Sequence, residues 1–243
     1  RLLTTPNDPE FLNGNLWGLH NIGQDNGTDN ADINGPEAWD TITDAGEIIV
    51  AVIDTGVRYT HEDLVDNMWI NAGEVPGNGL DDDNNGWVDD VHGIDAINDN
   101  GDPMDLHGHG THCAGIIGAV GNNGIGVTGV AWNVQIMACR FVTVPGNGAG
   151  LTSDAIKCID YARQQGAHIM SNSWGGAPFS QALLESISRA RDAGIIFTAG
   201  AGNMGIDNDT FPNYPASYDL DNIVAVAATD RNDDIIWFSN YGA

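Results

Sequence analysis

Five short apolar runs recur along the chain with helical segments between some of them, and this alternation limits the fold more than any other feature. The runs are IIVAVID (48–54), VQIMACRFV (134–142), HIMSNSW (168–174), IIFTAGAGN (195–203) and IVAVAA (223–228). Each is short and largely apolar, the pattern of a strand buried on both faces. TSDAIKCIDYARQQG offers Thr152 or Ser153 as N-cap and stops at Gly166; SQALLESISRARDAG begins at Ser180 and stops at Gly194. GPEAWDTITDAG carries Pro36 where a helix begins and Gly46 where it ends. Such alternation predicts an α/β fold of three layers, a central mainly parallel sheet flanked by helices. At 243 residues one core is expected, with no tandem repeat and no linker.

Charge narrows the partners. Eight Lys and Arg against 34 Asp and Glu give a net charge of −26. Such a chain repels nucleic acid and anionic membrane, so neither is expected as a partner. No apolar run approaches the roughly 18 residues of a membrane span, and the first residues do not form a signal sequence. A solvated surface accounts for part of the acid excess, and bound calcium or a salty medium for the rest. Cys113, Cys139 and Cys158 do not make a disulfide framework, although a 139–158 bridge stays open. A secreted or secretory location is expected, and Asn26 and Asn208 head glycosylation sequons that matter only there.

In parallel α/β sheets chemistry gathers at the C-terminal ends of strands. Asp54 stands at such an end, and Asn203 closes GAGN in the same way. LHGHGTHCAG then places His107, His109 and His112 within six positions. They can be metal ligands, a catalytic base or packing residues. A helical histidine pair that binds zinc usually carries a glutamate between its members, and this motif has none.

AVIDTGV, HGHGTHCAG, SNSWGG and AGAGN, in that order, resemble the subtilisin-like serine proteases, the subtilases. The resemblance extends from NDPEF to FSNYGA and is closest to calcium-rich, thermitase-like members and to subtilases of protozoan parasites. It implies a serine endopeptidase acting on polypeptides. Asp54 would be the orienting carboxylate, His109 the general base and Asn203 the oxyanion donor. Gly148, Ala149 and Gly150 on one edge, and Ser173, Trp174 and Gly175 on the other, would flank an extended peptide. Ala201 and Gly202 would line the pocket wall, and Trp174 would reshape it. The second histidine, His112, is expected to be buried and structural, and His107 to lie on the rim.

The family nucleophile lies in a GTSMA-like motif, and no such string occurs in these residues. The resemblance therefore implies residues 1–243 as the large N-terminal part of a single catalytic domain, incomplete at its C-terminus. The serine would lie on a missing C-terminal segment, and an inhibitory propeptide would precede Arg1. The alternative reading is a non-catalytic relative or inactive fragment that serves as a calcium-dependent binding protein.

The resemblance also implies calcium. One site would use Asp8, Asp63 and the Asn123 side chain, with carbonyls from Val120, Ile125 and Val127. A second rests on the residues themselves: in DDDNNGWVDD, Asp81, Asp83 and Asn85 alternate before Gly86 as an EF-hand loop opens. The Trp87 carbonyl would follow, and Asp89 or Asp90 would close the site, although the twelfth position is His92 and not glutamate. A third resembles a family site through Asp95, Asn100 and Asp102, with Met104 where the family pattern has a polar ligand.

Overall fold

A computed structural model describes residues 3–143, 150–176 and 178–242. Six strands, β1 (Asp44–Asp54), β2 (Gly93–Asp95), β3 (Asn133–Arg140), β4 (Ile169–Asn172), β5 (Ile196–Gly200) and β6 (Ile223–Val226), form one sheet in the order β2-β3-β1-β4-β5-β6. Every adjacent pair is parallel. All five apolar runs contribute strands. β2 has only three residues and sits in the Asp-, Asn- and Gly-rich stretch between WINAGE and the histidine motif, so no apolar run announces it.

The helices are α1 (Pro9–Leu12), α2 (Gly35–Trp39), α3 (His109–Gly118), α4 (Thr152–Gln164) and α5 (Gln181–Asp192). Successive residues of β1 face opposite sides. Val50 and Val52 join Ile136, Ala138 and Ala114 of α3 in one core, while Ala51 and Ile53 join Ile159 of α4, Leu183 of α5 and Phe197 in the other. Burial on both faces is why the strands read as runs and not as alternating patterns. Val52, Ile53, Ile136, Met170 and Phe197 are fully buried, each contributing about 1.5–3 kcal/mol relative to exposure. The sheet is thus a stiff platform for whatever leaves its ends.

The helix ends follow the expected chemistry, with two corrections. Ser180 caps α5 by accepting from Leu183 N at 3.3 Å, and Gly166 and Gly194 take φ of 78° and 80° past α4 and α5. For α4, however, the N-cap is Leu151, without a side-chain cap. The helix from Pro36 ends at Trp39, not Gly46, and β1 starts at Asp44. Thr41, Ile42 and Thr43 are β-branched and weaken a helix there. Gly46 belongs to the strand, where a Cβ would lie 2.8 Å from Asn133 Nδ2. Cys139 and Cys158 are both buried and free, so the structure contains no 139–158 bridge.

Candidate active site

Asp54 is the last residue of β1 and His109 the first of α3, and the fold brings them together across 55 positions of sequence. His109 Nδ1 lies 2.7 Å from Asp54 Oδ1. The Asp54 side chain is 4% exposed and that of His109 is 38% exposed, so the carboxylate is shielded while the ring reaches solvent. Asp54 Oδ1 also accepts from Thr55 N at 2.7 Å. A carboxylate only accepts, so in this contact His109 donates through Nδ1 and Nε2 is the ring nitrogen left over for other partners.

The start of α3 is held in place by residues that the sequence reading did not single out. Asp105 Oδ1 accepts from His107 N (2.8 Å) and Gly108 N (2.9 Å); Oδ2 accepts from Thr111 N (3.0 Å) and Thr111 Oγ1 (2.6 Å). Burial alone would raise the Asp105 pKa, but the hydrogen bonds from Gly108, Thr111 and His107 outweigh it and hold the carboxyl below its ordinary range. Thr55 Oγ1 accepts from Gly110 N at 2.9 Å. A Cβ on Gly110 would sit 2.2 Å from the Gly56 carbonyl, so only glycine lets the helix dock on the turn after Asp54. The glycine between the two histidines of HGTH is therefore part of the Asp54–His109 geometry. An aspartate four residues before His109 was the available signal for the Asp105 cap.

Beyond the ends of β4 and β5 lie the expected peptide-binding edges. Ser173, Gly175 and Gly176 are exposed. Trp174 packs edge-on against Phe141, ring centroids 4.9 Å apart, and its indole N–H is buried without a partner among the described residues. Gly150 pairs with Val142 in an isolated antiparallel bridge, and a Cβ there would meet the Phe141 ring at 2.8 Å. Gly148 and Ala149 lie outside the described residues. Ala201 is buried, Gly202 takes φ of 120°, and the Asn203 side chain is exposed.

The other histidines separate. His107 is exposed, as a rim residue would be. His112 is exposed as well, not buried: α3 turns Gly110, Ala114 and Gly118 to the sheet and His112 to the opposite side. There His112 lines a cavity of about 850 Å3 together with Leu16, Trp17 and Ile116. Cys113 Sγ lies 4.0 Å from His109 Nδ1 and 3.6 Å from Ser173 Oγ. Burial pushes its thiol pKa up, which disfavours the thiolate a nucleophile requires.

The three acidic sets differ in how they are arranged. Asp8 and Asp63 are buried, and both reach the 122–127 loop. Asp8 accepts from Asn122 N (2.6 Å) and Asn123 N (3.3 Å), while Asp63 accepts from Asn123 Nδ2 and Val127 N, both at 2.9 Å. The carbonyls of Val120, Ile125 and Val127 accept no hydrogen bond from a described residue.

In the second set Asp83 and Asp90 come together, and Asp81 and Asp89 are placed differently. Asp81 instead accepts from Asn85 N (3.1 Å) and Gly86 N (2.9 Å), and Asp89 from Asn78 N (3.1 Å) and Gly79 N (2.9 Å). Asp81 bonds within its own stretch, and Asp89 ties it back to residues 78 and 79. The gathered set is Glu74, Asp83 and Asp90, whose ligand atoms lie within 4.8 Å of one another. Glu74 Oε2 and Asp90 Oδ1 are buried without a hydrogen-bond partner among the described residues. Asn71 and Asn85 donate to Asp83 and Asp90, and Trp87 packs on Tyr161. Glu74 was missed because it stands seven residues upstream of the acidic run, inside an otherwise bland WINAGE.

In the third set the carboxylates already have protein partners. Asp95 pairs with Arg140 and accepts from Asn98 Nδ2 (2.7 Å), Asn100 Oδ1 accepts from Asp102 N (2.9 Å), and Asp102 Oδ1 accepts from Tyr59 OH (2.9 Å). Asp95 and Asn100 are also paired through their backbones, while the Asp95 and Asp102 carboxylates bond to different side chains, Arg140 and Tyr59.

Comparison with known proteins bears on the family and the fold. The model of the subtilase family matches residues 45–243. Thermitase of Thermoactinomyces vulgaris is 37% identical over 239 residues, covering 98% of this chain and 71% of its own length. Subtilisin-like protease 1 of Plasmodium vivax is 38% identical over 199 residues, and the match spans 76% of this chain but only 31% of that protein. Among solved structures, a cold-adapted subtilisin-like serine proteinase superposes with a TM-score of 0.65 at 28% identity, covering 94% of this chain and 69% of that one.

Proposed function

The chain belongs to the subtilase family, and on that premise we propose that it forms most of the catalytic domain of a calcium-stabilised serine endopeptidase. The observation that carries this reading is the 2.7 Å contact between His109 Nδ1 and the shielded Asp54. Asp54 holds one tautomer and stabilises the imidazolium that forms. His109 Nε2 takes the proton of a serine hydroxyl as that oxygen attacks the scissile carbonyl, then gives it to the departing amine. A water repeats the sequence on the acyl-enzyme. Asn203 donates its side-chain amide to the oxyanion, and the exposed Ser173–Gly175 edge pairs with the extended substrate backbone.

The nucleophile in this reading comes from sequence outside these 243 residues. Ser239 is buried, with its hydroxyl bonded to Ala228 N and the Asn240 carbonyl. Ser173 faces Cys113. Neither hydroxyl hydrogen-bonds to His109 among the described residues. An inhibitory propeptide would occupy the same edge as substrate, and a secretory location would supply the calcium.

Two calcium sites accompany the proposal. Asp8, Asp63 and Asn123, with the free carbonyls of the 120–127 loop, suit calcium's preference for mixed oxygen ligands. Glu74, Asp83 and Asp90 form the other, where the two unpartnered buried oxygens are what a cation would satisfy. Bound calcium would neutralise these carboxylates and pin the loops; it takes no part in the chemistry.

The test is peptide cleavage and fluorophosphonate labelling by the product of the full reading frame. Asp54→Asn is expected to lower kcat about 10⁴-fold by presenting the wrong tautomer, and His109→Ala to abolish labelling. Full labelling in His109→Ala would overturn the base assignment. Calcium binding without labelling or cleavage in the unaltered protein would favour the non-catalytic reading.

A further inference from the structure

Asn203 sits on a loop whose backbone is bonded on both sides by a second asparagine, Asn240, which is fully buried. The Asn240 N–H donates to the Gly202 carbonyl at 2.9 Å. Its side-chain Oδ1 accepts from Met204 N at 2.8 Å and from Ile206 N at 3.4 Å. The side-chain Nδ2 donates to Asn208 Oδ1 at 3.0 Å, and Asn208 donates in turn to the Ala201 carbonyl at 2.9 Å. Asn213 donates to that same carbonyl at 2.8 Å. The peptide groups before and after residue 203 are thereby occupied, while its side chain stands exposed. The fit is close: a Cβ on Gly202 would lie 2.4 Å from Asn240 Nδ2.

A fixed backbone under a free side-chain amide is what an oxyanion donor requires. Such a donor acts only if it is already aimed, because reorganisation at the moment of reaction would cost what the hydrogen bond contributes. We propose that Asn240 is a positioning residue that aims Asn203, gripping the Gly202 carbonyl with its backbone and the Met204 amide with its side chain. The proposal rests on the reading of Asn203 as oxyanion donor. Asn240 itself touches no substrate; its effect runs through the orientation of its neighbour.

The experiment is a double-mutant cycle in kcat and KM on the product of the full reading frame, with a chromogenic peptide. Asn203→Ala tests the underlying reading and should cost about 10²–10³ in kcat. Asn240→Ala should lower kcat by about ten- to a hundredfold with KM unchanged, as misplacement of a reacting group does. In the Asn203→Ala background it should cost nothing further, since no donor is left to aim. An undiminished loss in that background would show a general structural role and overturn the proposal, as would unchanged kcat in Asn240→Ala. If Asn203→Ala itself has no effect, the donor reading fails; if it has its full effect and Asn240→Ala has none, only the positioning claim fails. Should Asn240→Ala not fold, Asn208→Ala removes the outer link alone. It should give a smaller kcat loss that again vanishes with Asn203→Ala, and a loss that persists there would count against the proposal.

Discussion

Two acidic loops follow one another in the chain, and charge composition does not distinguish them. In the 95–102 loop the protein supplies its own cations: Arg140 pairs with Asp95, and Lys157 Nζ reaches Asp99 Oδ1 at 2.5 Å, the Ala96 carbonyl at 3.1 Å and Asp154 at 3.3 Å. The chain has one lysine, and it is spent there. In the 71–90 loop the side chains that donate to Asp83 and Asp90 include Asn71, Asn85, Gln165 and Tyr161, all neutral, and two carboxylate oxygens are buried with no partner among the described residues. Burial pushes the Asp90 pKa up, and drives that of Tyr161 far above its ordinary value with help from the bond to Asp90. On the calcium proposal, a cation site is marked by acid that the protein leaves unneutralised, and not by acid as such.

The sharpest way to break the contrast is to remove the internal cation from the loop that has one. The Arg140 and Asp95 side chains are 11% and 2% exposed. Arg140→Ala should cost about 3–5 kcal/mol, because it strands a buried carboxylate. Urea denaturation with and without Asp95→Asn checks this: the double variant should recover much of the loss. A loss under about 1 kcal/mol, the surface-pair range, would show that Asp95 is not dependent on its arginine.

Calcium is the complementary perturbation and should act on the other loop. At a free concentration a hundredfold above Kd, binding stabilises by about 2.7 kcal/mol. Chelation should lower Tm accordingly, and Glu74→Gln with Asp90→Asn should remove that loop's share of the response while leaving the share of the Asp8–Asp63 site. Calorimetric scans of the wild type and the double variant, with and without chelator, decide it. An undiminished calcium response in the double variant would refute cation binding by this set.

What the sequence made legible divides along the same line. The strands, the polarity of the sheet and the Asp54–His109 pair follow from local signals: apolar runs, terminal glycines and motif residues at strand ends. Glu74, Asp105 and Asn240 escaped because none stands out in its own neighbourhood. Their roles come from partners brought by the fold, as Glu74 meets Asp90 across a loop and Asn240 meets residues 202 and 204 across the β5–β6 connection. His112 erred in the opposite direction: its motif was clear, but the face of α3 that meets the sheet is set by Gly110, Ala114 and Gly118. The alternating residues of DDDNNGWVDD turn inward on their own loop, with Asp83 and Asn85 accepting from the backbone N–H two residues on, and Asp81 and Asp89 accepting from N–H groups further away.

Lys157 provides the smallest and most discriminating perturbation. Its side chain is 38% exposed and that of Asp99 is 69% exposed, so solvent screens the pair. Lys157→Gln should cost only about 0.2–1 kcal/mol, and less in 1 M salt, where the screening length is about 3 Å. The variant also asks whether a charge deficit alone is enough to make a cation site. Removing the lysine leaves Asp99 and Asp154 without their ammonium, yet Asp95 keeps Arg140 and Asp102 keeps Tyr59. Nothing then draws the carboxylates to one point, as Glu74, Asp83 and Asp90 are drawn. No new calcium-dependent rise in Tm is therefore expected in Lys157→Gln. If one appeared, unneutralised charge would suffice without preorganised oxygens, and the distinction between the loops would reduce to the presence or absence of one lysine.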